Sequence, residues 1–226
     1  MRFTSRLVCG FYLAGVLIAG TSTVATAAEN SLTAEVKATS TYLWRGVALS
    51  ADAALQASLV MSDPTGIHAD LFTSNVVGGS ETQISAGYRG NINQFKFDTG
   101  GRFYYLPQYE SSNFIELYFG IGTDNFGGKI SISPDSGNYL EGYLTLPAFE
   151  KWDLALTIGQ YAVDEDDAGA TIAYDDYLNY SAALVTDLDG FDFEIKISGN
   201  SLDDNEAMLP TDTFRTVVSL SKKFAP

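Results

Sequence analysis

Beyond residue 30 the chain alternates. Phe191-Asp192-Phe193-Glu194-Ile195-Lys196-Ile197-Ser198 sets its apolar side chains on one face and its polar ones on the other, and Trp152-Asp153-Leu154-Ala155-Leu156-Thr157-Ile158 repeats the pattern. Successive side chains of a strand point to opposite faces, so this period predicts strands with one apolar and one wet face. No segment offers an i, i+3, i+4, i+7 stripe over three turns, the mark of an amphipathic helix. Twelve alternating segments are predicted: 31–43, 53–62, 67–76, 82–90, 94–106, 113–123, 127–133, 138–146, 152–161, 176–186, 191–199 and 213–224. The expected fold class is all-β, an antiparallel barrel of about twelve strands.

The connections sort by parity. With the N-terminus on the periplasmic side, the even-numbered ones are short: Asp63 to Gly66, Asn91 to Asn93, Asp124 to Phe126, Pro147 to Lys151, and Asp187 to Gly190. Every long connection is odd-numbered: Trp44 to Asp52, Ala162 to Asp175, and Asn200 to Asp212. Short periplasmic turns on one rim and longer extracellular loops on the other define a transmembrane β-barrel. No segment of the mature chain approaches 18 unbroken apolar residues, so no spanning helix is expected. A closed barrel is then the structure that satisfies every strand's backbone groups in lipid.

The apolar phase includes Val36, Leu59, Leu71, Ile84, Phe97, Leu117, Phe119, Ile132, Leu144, Leu156, Leu184, Ile195, Val218 and Leu220, which should face lipid. Aromatic residues gather near predicted strand ends: Tyr42, Trp44, Phe126, Phe149, Trp152, Tyr161, Tyr174, Tyr177, Phe191, Phe214 and Phe224. They are expected to form interfacial girdles. A soluble barrel or sandwich would alternate as well. Loop parity and the phenylalanine near the chain end favour the membrane.

The first residues read as an address. Arg2 and Arg6 precede an apolar stretch from Leu7 to Gly20, and Ala25-Thr26-Ala27 supplies a small-residue cleavage pattern. This is the anatomy of a cleaved secretory signal peptide over 1–27, leaving a barrel over 28–226. Cys9 sits inside the apolar stretch, too early for a lipid-modified cleavage site. The expected location is the bacterial outer membrane, reached through the periplasm.

Charge narrows the partners. Removing Arg2 and Arg6 leaves 11 basic residues against 28 acidic ones, a net charge near −17. That excludes nucleic acid as a natural partner. The mature chain has no cysteine, so no disulfide staples the framework. The expected partners are outer-membrane lipid and small hydrophilic solutes or ions.

The wet phase should line the lumen. Its basic members are Lys37, Arg89, Lys96, Arg102, Lys129, Lys196, Arg215 and Lys223, and its acidic members are Glu35, Asp70, Asp98, Glu116, Glu141, Asp153, Asp192 and Glu194. Of these, Lys37, Arg89, Arg102, Glu116, Glu141, Glu194, Lys196 and Arg215 are the expected pore-lining set. The surplus acid lies in the loops, where Asp164, Glu165, Asp166 and Asp167 should place an acidic patch at the outer mouth. Such a patch concentrates cations, whereas a plain solvated loop would carry the same run without consequence. Arg45 could anchor the first outer loop through its five donors. Glu116 could be its lumenal partner or that of Arg102.

Little here suggests an enzyme. The one histidine, His68, falls in the lumenal phase near Asp70, with Ser58 and Ser74 as possible neighbours. A catalytic triad needs a histidine held against a nucleophilic serine, and the spacing marks neither serine. No metal site is expected either, because the acidic run lacks the glycine-punctuated spacing of a calcium loop. No cofactor is expected.

Short motifs along the chain resemble a known family. Thr41-Tyr42-Leu43-Trp44-Arg45-Gly46-Val47 resembles the Y-x-x-R-G signature of the TorF porins, a proteobacterial outer-membrane family long without an assigned function. The likeness continues through Gly66-Ile67, Ser74-Asn75, Gly87-Tyr88, Asn113 to Tyr118, Lys129 to Asp135, Asp176 to Ser181, and Val218 to Phe224. Gln83 and Ser85 stand where the family often carries an acid and a tyrosine, and Ala225 and Pro226 follow the terminal phenylalanine. The resemblance implies a porin-like role and names no substrate. The expected function is a passive channel for small hydrophilic solutes or ions with a weak cation preference. The alternatives are a closed structural or adhesive barrel and a membrane-embedded hydrolase using His68.

Overall fold

A computed structural model of the protein describes residues 30–108, 113–162, 176–202 and 214–225. The signal segment 1–27, Tyr174 and the acidic run 164–167 lie outside the described residues. Twelve strands form one closed antiparallel barrel. They are β1 (Ser31–Thr39), β4 (Ala54–Ser62), β5 (Ile67–Val76), β6 (Gly79–Ile92), β7 (Phe95–Tyr105), β8 (Phe114–Gly122), β9 (Phe126–Ser133), β10 (Gly137–Phe149), β11 (Trp152–Ala162), β12 (Tyr177–Leu188), β13 (Phe191–Asn200) and β14 (Phe214–Phe224). Two further short strands, β2 (Leu43–Trp44) and β3 (Val47–Ala48), pair only with each other.

Each barrel strand pairs with its neighbour in the chain, except at two places. β1 pairs β4, because β2 and β3 leave the wall, and β1 also closes the ring against β14 with Ala34 opposite Phe224 and Thr39 opposite Ser219. Closure abolishes free edges, so each ladder of backbone groups finds a partner.

Alternation decides the faces. Leu55, Leu117 and Ile158 point outward and are 63%, 65% and 61% exposed, while Glu35, His68, Asp98, Arg102, Glu116, Glu141 and Glu194 are buried inside. Apolar side chains outside and ionisable ones inside invert the arrangement of a water-soluble protein. Such an exterior is stable only against lipid or detergent.

The short rim is built by local turn chemistry. Asp63 Oδ1 accepts hydrogen bonds from Thr65 N, Thr65 Oγ1 and Ile67 N at 2.8, 2.6 and 3.1 Å. These bonds, led by the Thr65 hydroxyl, hold the Asp63 carboxyl below its ordinary range. Between β12 and β13, Asp189 and Gly190 both take positive φ, at 54° and 83°. That is the two-residue turn whose twist matches the flanking strands.

Two expectations are corrected. The first strand stops at Thr39 instead of running to 43, since the chain then turns out of the sheet. Tyr42, Trp44, Tyr161 and Tyr177 are buried inside the barrel and do not belong to an interfacial girdle. Tyr161 and Tyr177 fall in the inward phase of β11 and β12, and the turn after Thr39 carries Tyr42 and Trp44 inward. Phe126, Phe149, Phe214 and Phe224 are exposed outside near strand ends, where the expected girdles place them.

Candidate functional site

The first long connection folds into the lumen. Leu43 pairs with Ala48 and Trp44 with Val47, around a turn of Arg45 and Gly46 with φ of 49° and 80°. Tyr42 accepts a backbone bond from Leu49 at 2.9 Å, and the Tyr42 amide donates to Ser50 Oγ at 2.8 Å. A left-handed turn at a non-glycine residue costs energy unless its surroundings over-determine it. Here they do.

The barrel wall holds the hairpin tip from several sides. The Arg45 guanidinium lies 4.4 Å from the ring centres of both Trp44 and Tyr139 and 5.5 Å from that of Tyr161. It pairs with Glu116 of β8, whose side chain is 1% exposed. Asn200 Nδ2 of β13 donates to the Gly46 carbonyl at 2.9 Å. A Cβ on Gly46 would stand 2.6 Å from the Cβ of Asn179, so the wall requires glycine there for space as well as for φ. At the hairpin's base, Val77 N donates to the Leu49 carbonyl at 2.8 Å.

Aromatic rings complete this half of the interior. Tyr104 and Phe114 stack at 4.2 Å and present edges to Trp44, while Tyr161 stacks on Tyr177 at 5.4 Å. With Tyr42, Val47, Ala54, Tyr139 and Leu202 they form the one buried apolar cluster found among the described residues. It sits at the long-loop end, inside the ring.

Further down, the walls carry charge. Arg102 Nη1 donates to the Tyr104 hydroxyl at 3.3 Å, and the Arg102 guanidinium and the Lys129 ammonium approach the Tyr118 ring at 5.4 and 5.0 Å. Glu141 accepts from the Tyr139 hydroxyl at 3.2 Å. On the opposite wall Glu194 lies 3.3 Å from Lys196 and 3.8 Å from Lys37. Arg215 faces inward across from Ser198.

At the short-turn end a second network forms. His68 Nε2 is 3.0 Å from Asp98, and its Nδ1 is 3.1 Å from Asp70, a distance for ion pairing but off-line for a hydrogen bond. Arg89 bridges the same two carboxylates, at 3.0 Å to Asp98 and 3.3 Å to Asp70. Ser85 Oγ donates to Asp70 at 3.3 Å.

All eight residues expected to line the pore therefore face the interior, and Arg45 and Glu116 meet. Sequence reading missed Glu81, because β6 begins three residues before the predicted strand. Glu81 is 1% exposed and accepts a hydrogen bond from the Tyr42 hydroxyl at 3.2 Å. It also missed Asn179 and Asn200, which carry no local signal beyond lying in the inward phase.

A closed antiparallel ring, apolar outside and ionisable inside, defines an outer-membrane barrel of the porin type in fold. The solved structures most alike include a KdgM porin, with TM-score 0.55, 10% identity, and coverage of 86% of this chain and 99% of that one. A NanC porin aligns with TM-score 0.50, 12% identity, and coverage of 83% and 97%. A KdgM porin in complex with disordered oligogalacturonate gives TM-score 0.54 at 10% identity, with coverage of 86% and 99%. At such identities the likeness is one of fold. No curated protein matches. Residues 23–219 match the Gcw_chp family model, and the chain belongs to this bacterial family of unknown function. The TorF-like motifs from Thr41 to Ser181 lie within the matched segment, although the match itself carries no porin name.

Proposed function

We propose that the mature chain, residues 28–226 after removal of a signal peptide, is a channel of the bacterial outer membrane. Small hydrophilic solutes or ions cross it passively. The observation that carries this reading is the inverted barrel: an apolar exterior around an interior of paired but numerous charges. Oligogalacturonate, the ligand of one porin of similar fold, is itself a charged hydrophilic solute. The acidic run Asp164, Glu165, Asp166 and Asp167, outside the described residues, is the sequence feature behind a proposed weak cation preference, since clustered acids raise local cation concentration.

The reading is of a channel without catalysis. Both His68 nitrogens face carboxylates, and the serine hydrogen-bonded into that network, Ser85, donates to Asp70 instead of meeting the imidazole. A triad needs the histidine between serine and acid. A second reading, a closed structural barrel, is favoured by the hairpin that fills the long-loop half.

Single-channel conductance of the refolded mature protein in a planar bilayer, under a salt gradient, separates the two. Discrete steps support the channel, and the reversal potential reads its ion preference. A folded barrel that stays silent defeats the open channel. Conductance that emerges only after residues 41–50 are replaced by a short glycine-serine connector assigns the closure to the hairpin.

A further inference from the structure

Between the hairpin tip and the wall lies a cavity of about 70 Å³. On the scale where one water occupies roughly 10–15 Å³, that is space for about five waters or a solute of comparable size. Its lining is lopsided. Arg45, Arg102, Lys129 and Lys196 reach it, and among the described residues Glu141 is the single carboxylate that does. Glu116 pairs with Arg45 and Glu194 with Lys196, which leaves Arg102 and Lys129 facing Glu141, an excess of one positive charge.

Arg102 is the informative member. It is 2% exposed, and its Nε and Nη2 make no hydrogen bond to the protein; neither does Nη1 of Arg45. A buried guanidinium with unfilled donor directions is costly, and an oxyanion is the group that fills a planar fork. From β12 and β13, Asn179, Ser181 and Ser198 add amide and hydroxyl groups beside Lys196, with the Asn179 amide bonded to the Tyr139 hydroxyl. Arg45, Arg102 and Lys129 gathered near one another, with amide and hydroxyl groups within the same small space, describe a solute that carries both a carboxylate and hydroxyls.

We propose that this cavity is a binding subsite for a small hydroxylated carboxylate, held by Arg102, Arg45 and Lys129 at its charged end. The proposal rests on the channel reading for the solute's route of entry. It gives the passage a resident anion site just inside the long-loop rim, independent of the charge at the mouth.

The chain's two tryptophans allow a test that does not depend on conductance. Trp44 touches Arg45 at the cavity, while Trp152 packs on Phe149 and Phe193 near the short-turn rim. In the refolded W152F barrel, Trp44 emission is followed during titration with sodium glycerate, glycerol, sodium propionate and sodium chloride at matched ionic strength. The expected result is a saturable response to glycerate, a weaker affinity for propionate, and no saturation with glycerol or chloride. Arg102→Gln should weaken glycerate binding at least about tenfold, since a charged hydrogen-bond partner is lost. Lys129→Gln provides a second variant, and the shifted gel mobility of unboiled barrels certifies folding of each. No saturable response to glycerate, an equal response to chloride, equal affinity for propionate, or unchanged affinity in both folded variants would overturn the site. A barrel that is electrically silent yet binds glycerate would defeat the channel reading and leave the site standing.

Discussion

The two ends of the lumen solve one problem in different ways. Twelve strands enclose more space than their own inward side chains fill when those are small, and small or polar residues recur along the inward phase. At the short-turn end, the wall fills itself: His68, Asp70, Arg89 and Asp98 come from three adjacent strands, and Arg89 stands directly across from Asp98. At the long-loop end the wall borrows a loop. Arg45 meets Glu116 across 71 residues of sequence, and Gly46 meets Asn200 across 154. The first network is partly open, with the Arg89 and Asp70 side chains 23% and 17% exposed, whereas Arg45 and Glu116 are 7% and 1% exposed. Arg89 and Asp70 are therefore partly screened, although His68 and Asp98 of the same network are buried, at 0% and 3% exposure. The pair under the hairpin is shielded throughout.

Glu116→Ala should disturb the long-loop end most. It strands the Arg45 guanidinium among aromatic rings, and the loss of one partner from a buried ion pair costs about 3 kcal/mol or more. In the W152F background this should red-shift Trp44 emission and lower the midpoint of denaturant unfolding. Gly46→Ala comes next. Its Cβ collides with Asn179 at a positive φ, and the strain of about 2 kcal/mol should loosen the hairpin while leaving the strands intact. The expected signature is protease cleavage between residues 40 and 50 with unchanged β-sheet circular dichroism. The smallest effect is expected from Arg89→Ala, about 1 kcal/mol, because Arg89 is itself partly exposed and His68 still lies between the two carboxylates. Trp44 emission should not move. If Arg89→Ala shifts Trp44 as far as Glu116→Ala does, the two ends are one coupled unit and the contrast between them fails.

Much of this architecture is legible before any coordinates. The alternation in Phe191–Ser198 places Glu194 and Lys196 inside, and the Asp189-Gly190 pair marks the turn before it. The pairing of Arg45 with Glu116 was one of two options the sequence left open for Glu116, and the contact forms. What misled the reading was the assumption that an aromatic residue near a strand end belongs to a lipid interface. Phe126 and Phe149 obey that rule, but Tyr161 and Tyr177 do not, although all four lie at strand ends. Parity separates them: Tyr161 and Tyr177 share the inward phase with Gly159 and Asn179, and a stricter application of period two would have found them.

The re-entry of residues 40–50 had no such signal. Tyr42-Leu43-Trp44 continues the look of a strand, and nothing local says that the chain stops pairing at Thr39. The contacts that hold the hairpin inside come from Glu116, Asn179 and Asn200, on three strands far apart in sequence. Periodicity is a local property, because each side chain's face is set by its neighbours on the same strand, and so the sequence alone determined the barrel, its strands and which charges look inward. Where a loop comes to rest depends on the shape and charge of a cavity that exists only after the ring has closed. That is why the filled outer half of the lumen, and the anion-sized space beneath it, were decided by the tertiary structure alone.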